Sequence, residues 1–315
     1  MAESLSVAGF PVVGLVDPGN TSGKLPESAS GATAFAIGER THRRAIGVDA
    51  DSRPRITVLE AAENGGLATG LVTTTFLVDA TPAAFAAHVR DRDLKHEIAR
   101  QIADQGIDVL LGDGQRWFEG ERGLTAMGPL AGMRDDYVFV QTAAALEALD
   151  LDTVDMLLGL FRTDSVQDPR LREPSLARMT AAALQVLDRD PDGFFLVVEN
   201  EHTDHDSHEN EPLAAIRAEV LHLDRAVQEA LRYRARHPGT LIVVAADHET
   251  GGLALTSDST GALSARYVTT GHSAELVPIF AIGPGAERFG GVQTNAAIGR
   301  HLMELVAGAD SSETH

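Results

Sequence analysis

Two apolar runs of strand length end directly in residues that can bind metal ions. Phe194–Val198 ends at Glu199, and Leu241–Ala246 ends at Asp247-His248. In open α/β sheets, ligands collect beyond the carboxyl ends of the strands, so two strands that end in this way are expected to point their last residues into one crevice. The sequence therefore predicts an α/β fold with a ligand site at that edge of its sheet.

Strand-like and helix-like segments alternate along the whole chain. The apolar spacing of 212–236 predicts the clearest helix, with Pro212 in its first turn, and 175–187 and 295–305 predict two more. Such alternation favours a three-layer α/β/α sandwich with a mostly parallel central sheet. The remaining strand candidates are Phe10–Val16, Asp108–Leu111 and Pro278–Ile282. We expect one domain over residues 1–309, followed by a polar tail at 310–315.

The segment after the first of the two runs, Glu199-Asn-Glu-His-Thr-Asp204-His-Asp-Ser-His208, is rich in carboxylates and imidazoles, and His272 follows in a Thr-Gly-His turn. These side chains suit zinc and magnesium, and two such ions a few ångströms apart can form a clamp for phosphoryl transfer. A solvated acidic loop is the alternative for any one of these histidines. The apolar strands that lead into the segment favour the metal site.

Charge and residue content limit the partners of the chain. The formal net charge of −20 opposes binding to nucleic acid or to an anionic membrane. Two zinc ions and one magnesium ion would add six positive charges and leave −14, with the positive charge concentrated at the site. The absence of cysteine excludes thiolate ligands and cysteine nucleophiles. There is no apolar run long enough for a membrane span and no signal peptide pattern in the chain as written.

Two further segments carry candidates for phosphate chemistry. Ser28 precedes a run of small residues that can enter a helix, where backbone N–H groups and the helix dipole favour an anion. An ordinary serine cap is the alternative for this motif. Asp79 and Thr81 stand at the start of another helix, and Arg92 is expected towards the end of that helix, where a guanidinium fork could hold two phosphate oxygens. When this segment is considered alone, an arginine on a solvated helix surface is the more common alternative.

Taken together, these segments resemble the alkaline phosphatase family from about Leu5 to about Val306. The specific pieces occur in the order that the family has. They are Ser28-Ala-Ser-Gly-Ala-Thr-Ala, Gly66-Leu-Ala-Thr-Gly-Leu-Val, Asp79-Ala-Thr-Pro-Ala-Ala, Gly193-Phe-Phe-Leu-Val-Val-Glu199, Asp204-His-x-x-His208, Ala246-Asp-His-Glu-Thr-Gly-Gly-Leu253, Thr270-Gly-His272 and Gly283-Pro-Gly-Ala286.

The resemblance implies hydrolysis of phosphate monoesters through a phosphoserine, at a site with two zinc ions and one magnesium ion. Ser28 falls on the nucleophile, Arg92 on the phosphate-binding arginine, and His205 on a position close to the phosphate. The implied metal ligands are, for the first zinc, Asp204, His208 and His272; for the second zinc, Asp247 and His248; and for magnesium, Asp79, Thr81 and Glu199.

The chain departs from the family pattern at two places. Glu27 stands where the family has an aspartate before the nucleophile. Family members also begin with a strand that ends in a Gly-Asp-Gly turn, whose aspartate bridges the second zinc and the magnesium, and this chain starts downstream of that strand. Leu110-Leu-Gly-Asp113-Gly is similar to that turn, but its sequel matches a later family element. We therefore expect the sheet to lack its first central strand and the second zinc site to be incomplete.

Three functions remain open at this point. The first is a phosphomonoesterase that acts on small phosphomonoester substrates and releases inorganic phosphate. The second is a catalytically impaired homologue that binds phosphate or metal, because the bridging aspartate is missing. The third is another enzyme of the superfamily, such as a phosphodiesterase or a phosphomutase. The resemblance also implies a periplasmic or secreted full-length protein, and it leaves a homodimer possible.

Overall fold

The strands and helices lie close to the positions that the hydrophobic pattern predicts. The computed structural model describes residues 4–120, 128–162, 168–257 and 259–308; the predicted polar tail lies outside them. Within these residues the strands are β1 Val12–Asp17, β2 Ala68–Phe76, β3 Val109–Asp113, β4 Val138–Val140, β5 Leu157–Leu160, β6 Phe194–Glu199, β7 Ile242–Ala245, β8 Ala254–Ser257, β9 Leu263–Arg266, β10 Val277–Ile282 and β11 Gly291–Thr294.

The helices surround these strands along the chain. In the described residues they are α1 Ser28–Ile37, α2 Val58–Asn64, α3 Ala80–Ala86, α4 Lys95–Gln105, α5 Gln115–Phe118, α6 Leu130–Asp136, α7 Ala143–Glu147, α8 Leu176–Leu187, α9 His202–His208, α10 Leu213–Arg236 and α11 Asn295–Gly308. The three helices predicted from sequence correspond to α8, α10 and α11, and the five predicted strands correspond to β1, β3, β6, β7 and β10. Among the described helices, none is long and apolar enough to cross a membrane.

The larger sheet is entirely parallel, with strand order β4-β5-β3-β2-β6. Its strand β2, which lies between β3 and β6, was not predicted, although all its residues except Phe76 are buried. β2 contains a glycine and three consecutive threonines and does not alternate between apolar and polar residues. Such alternation is absent because both faces of the strand are covered and neither faces solvent. Helices cover both faces, as an α/β/α sandwich requires: α1, α3 and α4 share one apolar core with the sheet, and α8 shares the other.

A second sheet has the order β11-β1-β10-β7 and is mixed. β1 pairs in parallel with β11, whereas β10 runs antiparallel to both β1 and β7. Val16, Ile279 and Phe289 form its buried core together with Ile298 of α11. β8 and β9 form a separate antiparallel hairpin.

The edges of the two sheets carry the acidic residues that the sequence singled out. β6 is the last strand of the parallel sheet and ends at Glu199, while β7 is the last strand of the mixed sheet and is followed by Asp247. Each pairs on one side only within the described part of the chain, and both are only half-buried. The strands that lead into Glu199 and Asp247 therefore belong to two different sheets, each at an edge.

Candidate active site

Helix α9 and the turn before β10 bring three predicted metal ligands together. The His208 Nε2 atom lies 3.1 Å from the His272 Nε2 atom and 3.3 Å from the Asp204 Oδ2 atom. The His272 Nε2 atom lies 3.5 Å from the Asp204 Oδ1 atom. Asp204 and His208 are four residues apart, so both project from one face of α9.

Backbone carbonyls fix the orientation of both imidazoles. His272 Nδ1 lies 2.7 Å from the carbonyl oxygen of Pro26, and His208 Nδ1 lies 2.6 Å from that of Thr270. A carbonyl oxygen can only accept, so each Nδ1 donates its proton to the carbonyl, and each Nε2 is turned towards the other ring and towards Asp204. A carbonyl bound to the far nitrogen of a histidine is the usual support of a metal ligand.

The spacing of these atoms matches zinc. Zinc bonds of about 2.0–2.1 Å in a tetrahedron place neighbouring ligand atoms about 3.3 Å apart, and the three observed separations are 3.1, 3.3 and 3.5 Å. The donor set therefore fits a zinc ion with an open fourth position.

His248 stands beside this group with looser geometry. Asp204, His248 and His272 each offer a ligand atom within 4.8 Å of the others. The His248 Nδ1 atom is nevertheless 4.0 Å from Asp204 and 3.3 Å from the hydroxyl of Thr250, and the His248 ring stacks on His272 at 3.8 Å between centroids. We assign the tight group to Asp204, His208 and His272, because its spacing fits one ion better.

Asp204 is the ionic centre of the tight group. Burial opposes ionisation, but the hydrogen bond from His272, the charge of His248 and the hydrogen bond from Thr250 together lower the pKa of Asp204 to about 2. The carboxylate is therefore an anion at any physiological pH.

The other nitrogen of His248 faces the predicted nucleophile. The Ser28 Oγ atom lies 3.1 Å from His248 Nε2, and the same nitrogen lies 3.5 Å from the Asp247 Oδ2 atom. β7 delivers Asp247 and His248, whereas α1 delivers Ser28, 220 residues away. These contacts bring together the residues predicted for the second zinc site and for the nucleophile.

Glu27, not Ser28, caps the first turn of α1. The Glu27 carboxylate accepts from the N–H groups of Ser30 at 2.8 Å, Ala29 at 3.2 Å and Arg44 at 3.0 Å. Ser28 is thus the first helical residue, and its hydroxyl stays free to face His248. Ser28 is therefore not the cap of α1. The N–H groups of Ala29 and Ser30 instead donate to the Glu27 carboxylate.

The predicted magnesium ligands converge at the carboxyl edge of the parallel sheet. Asp79 and Thr81 lie in the first turn of α3, and the hydroxyl groups of Thr81 and Thr73 both bond the Glu199 carboxylate, Thr73 at 2.6 Å from Oε2. Carboxylate and hydroxyl oxygens suit a hard cation. No sequence argument selected Thr73, which belongs to β2, the strand that was not predicted.

The carboxylates of this edge repel one another. Burial and the charges of Asp79 and Asp247 raise the pKa of Glu199 to about 7, although hydrogen bonds from Thr73 and Thr81 oppose the rise. Burial and the nearby Asp204 also raise the pKa of Asp247, against the charge of His248. The negative charge of Glu199 and Asp247 is what bound cations would neutralise.

Arg92 lies in the connection between α3 and α4, not at the end of a helix. The expectation of a continuous helix was wrong because α3 ends at Ala86 and the chain then turns extended at Ala87. The Arg92 N–H bonds the carbonyl of Arg44 at 2.9 Å, which holds this connection against the segment after α1. Its guanidinium donates to Asp79 at 2.7 Å and lies 3.5 Å from Glu27.

His205 is the predicted site residue whose described contacts stay within α9. Its Nδ1 atom lies 3.6 Å from Asp206, and its ring centroid lies 6.1 Å from that of His202. Within the described chain this Nδ1 is buried without a hydrogen-bond partner. Proximity of His205 to a phosphate stays a prediction.

Two further side chains of the site were not selected from sequence. Thr250 bonds both Asp204 and His248, and it stands inside the quoted Asp247-His-Glu-Thr-Gly-Gly motif, so the motif itself was the available signal. Lys95 lies 2.8 Å from Asp79. Its only signal in the sequence is rarity, since it is one of two lysines in the chain.

Comparison with known proteins was consistent with this geometry. The sequence model described as "Alkaline phosphatase" matches residues 2–268. Alkaline phosphatase 4 of Bacillus subtilis (strain 168) is 34% identical over 251 residues, which cover 76% of this chain and 53% of the relative. The chain thus spans about half the length of the first curated relatives it matches.

Solved structures show the same similarity. Alkaline phosphatase from the Antarctic bacterium TAB5 superposes with a TM-score of 0.87 at 28% identity, covering 98% of this chain and 92% of that chain. A single-residue variant of that TAB5 enzyme, with Mg bound in its M3 site, superposes with a TM-score of 0.85 at 29% identity, covering 97% of this chain and 91% of the variant.

Proposed function

Because the chain belongs to the alkaline phosphatase family, we propose that it hydrolyses phosphate monoesters with Ser28 as the nucleophile. The observation that carries the proposal is the 3.1 Å contact between Ser28 Oγ and His248 Nε2, a nitrogen that also lies 3.5 Å from Asp247. Few structural roles would require a serine hydroxyl to approach an imidazole and carboxylate pair that follows the end of β7. The proposed substrates are small phosphate monoesters, and one product is inorganic phosphate.

In this proposal Ser28 Oγ forms a bond to phosphorus as the bond from phosphorus to the leaving oxygen breaks. The resulting phosphoserine is then hydrolysed, which returns the hydroxyl and releases phosphate. Ser28 begins a helix whose first turn is fixed by Glu27, so the direction of its hydroxyl is set before a substrate arrives. This preorganisation reduces the entropic cost of attack.

Arg92 is proposed to hold the phosphate. Asp79 accepts from one terminal nitrogen of the Arg92 guanidinium at 2.7 Å, while the other terminal nitrogen has only the longer contact of 3.5 Å to Glu27. The Asp79 pair orients the guanidinium, and the second nitrogen stays available for an oxygen of the substrate. Arg92 is also the positive group whose pKa the surrounding carboxylates raise, against the effect of its burial.

The metal assignments are part of the proposal. Asp204, His208 and His272 would hold one zinc ion, Asp247 and His248 a second, and Asp79, Thr81 and Glu199 a magnesium ion. When bound, such ions supply positive charge to the phosphoryl group and lower the pKa of oxygen nucleophiles and leaving groups. Five acidic residues of the site, Glu27, Asp79, Glu199, Asp204 and Asp247, would otherwise repel a dianionic substrate.

A test of this function uses an aryl phosphate at alkaline pH. We expect turnover that a chelator removes and that Ser28→Ala lowers by at least about 10³-fold, because the nucleophile is lost. Ser22→Ala is the control, since Ser22 is an exposed serine whose described contact is with Asn20. Turnover that survives Ser28→Ala would exclude the serine mechanism. A bis-aryl phosphate in the same assay tests the phosphodiesterase alternative.

One observation favours a catalytically impaired, metal-binding homologue as a second candidate. Three ligands with zinc-like spacing serve the first site, whereas among the described residues Asp247 and His248 supply two for the second. A metal count by mass spectrometry on the purified chain separates the two functions. About two zinc ions with a phosphoserine after incubation with substrate indicate the enzyme, and about one zinc ion without phosphoserine indicates the impaired form.

Two further proposals concern the location of the protein and its oligomeric state. On the basis of family membership, we propose that the protein is exported and can form a homodimer. Light scattering, which measures the molecular mass in solution, would show whether the protein forms a homodimer.

A further inference from the structure

The chain contains only two lysines, Lys24 and Lys95, and Lys95 is built into the candidate site. Lys95 is the first residue of α4, and its Nζ atom lies 2.8 Å from the Asp79 Oδ1 atom. The side chains of Lys95 and Asp79 are 21% and 17% exposed, so this ion pair is largely removed from water. A pair in such surroundings is screened much less than a surface salt bridge.

Aromatic rings hold the Lys95 ammonium in place. The Nζ atom lies 5.2 Å from the centroid of Trp117 and 5.6 Å from that of Phe76. The two rings meet edge to face at 4.5 Å, and the guanidinium of Arg116 covers Trp117 at 3.9 Å. Cation–π contacts of this kind stabilise a cation that has given up part of its hydration.

The pairing leaves Asp79 with both oxygens occupied by cations. Lys95 binds Oδ1, and Arg92 binds Oδ2 at 2.7 Å. Asp79 lies two residues before Thr81, whose hydroxyl bonds Glu199, so the Lys95 ammonium stands at the side of the oxygen-rich group proposed for magnesium. A divalent cation that uses Asp79 must take Oδ1 from Lys95 or share it at the cost of repulsion between two cations.

We propose that Lys95 acts as an internal cation at Asp79 and competes with Mg²⁺ for this carboxylate, so that Lys95 sets the affinity of the magnesium position. The inference rests on the proposed metal assignment but not on the serine mechanism. Lys95 is a positioning residue here: it acts on the metal position through Asp79.

The test is calorimetric titration of MgCl₂ into the full chain after divalent ions have been removed and zinc has been restored. It is carried out in the Ser28→Ala background, so its result is independent of turnover and of the proposed nucleophile. We expect Lys95→Met to lower the Kd for Mg²⁺ by about tenfold, because the competing charge is removed while the length of the side chain is retained. Lys24→Met, which removes the other lysine at an exposed position, should leave the Kd unchanged.

Trp117 provides a second readout, since it is the only tryptophan of the chain and contacts the Lys95 ammonium. Its emission should change saturably with MgCl₂ in the protein that retains Lys95, with the same Kd as the calorimetry, as the ammonium leaves Asp79. Lys95→Gln serves if Lys95→Met fails to fold by circular dichroism. A Kd that is unchanged or weaker in the folded Lys95 variant, absence of Mg²⁺ binding in both proteins, or Trp117 emission that does not respond at saturating MgCl₂ would overturn the proposal.

Discussion

At the scale of single residues, Glu27 determines how the nucleophile is presented. Its carboxylate is 4% exposed and accepts from three backbone N–H groups, those of Ala29, Ser30 and Arg44. Burial opposes its ionisation, but the hydrogen bonds from Arg44 and Ser30 and the charge of Arg92 lower the pKa of Glu27. The ionised carboxylate therefore fixes the start of α1 and ties it to the segment that also holds Arg92.

Glu27→Ala should lower the free energy of unfolding by about 1–3 kcal/mol, since buried N–H groups lose their acceptor. The measurement is urea denaturation, with the change read from the midpoint at constant slope. Glu39→Ala is the matched control, because Glu39 makes a partly exposed ion pair with Arg55 at 3.5 Å and should cost less than about 0.5 kcal/mol. Equal effects of the two substitutions would contradict the capping role.

His222 gives a pH-dependent prediction away from the metal residues. It is 1% exposed, its Nε2 accepts from the Leu176 N–H at 3.3 Å, and its Nδ1 has no hydrogen-bond partner among the described residues. Burial lowers the pKa of His222 to about 4; the charge of Glu219 opposes this shift, and the charges of Arg172 and Arg225 add to it. His222 is therefore neutral in the folded protein under most conditions.

An unfolded histidine has a pKa of about 6.5, so between pH 6.5 and pH 4 the unfolded chain gains a proton that the folded chain does not. His222 should consequently lower the free energy of unfolding as the pH falls through this window, by up to about 3 kcal/mol. Urea denaturation at several pH values measures the effect. His222→Asn should remove that part of the pH dependence, and an unchanged slope in the variant would refute the assignment.

At the scale of elements, Gly31 determines how closely α1 approaches the end of β7. A Cβ atom at this position would lie 2.7 Å from the backbone carbonyl oxygen of Asp247. The glycine is therefore required by the close contact that places Ser28 beside Asp247 and His248. In an open helix, alanine would be the more favourable residue by about 1 kcal/mol.

Gly31→Ala should separate α1 from Asp247 and lower turnover of an aryl phosphate by about tenfold or more, because the distance from Ser28 to His248 increases. The variant is expected to stay folded, since the clash can be relieved by a small shift of the helix. Gly132→Ala, a helical glycine with open space around its Cβ position, is the control and should leave turnover unchanged. Retained activity in Gly31→Ala would show that the contact does not position the nucleophile.

At the scale of the whole molecule, the strands within each of the two sheets differ in how completely they are paired. β2 and β10 have a partner on each side, whereas β6 and β7 pair on one side only in the described parts of the chain. β2 is buried almost throughout, while β6 and β7 are half-buried. The strands that deliver Glu199 and Asp247 are thus the less protected ones.

Hydrogen exchange followed by mass spectrometry should show amides of β6 and β7 exchanging roughly tenfold or more faster than those of β2 and β10. An edge strand has N–H groups without a partner in its own sheet, and these exchange without unfolding of the whole domain. Equal protection of all four strands would mean that another surface covers both edges in solution.

Much of this arrangement was predicted from sequence because its determinants are local. Periodic apolar residues identified α8, α10 and α11, and short apolar runs that end in acidic residues identified β6 and β7, although these two strands lie in different sheets. The motifs also grouped Asp204, His208 and His272 as one predicted set of metal ligands, and their nitrogen and oxygen atoms lie 3.1 to 3.5 Å apart.

Only the tertiary structure decided the contacts between distant segments. β2 carries no periodic signal because both of its faces are buried, and Arg92 leaves its helix because α3 stops early. The carbonyls of Pro26 and Thr270 that orient two imidazoles, and the pairing of Lys95 with Asp79, join segments whose spacing in the chain says nothing of their distance. Hydrophobic patterns record whether a residue faces a core, whereas the partner of each polar group depends on how the elements pack together.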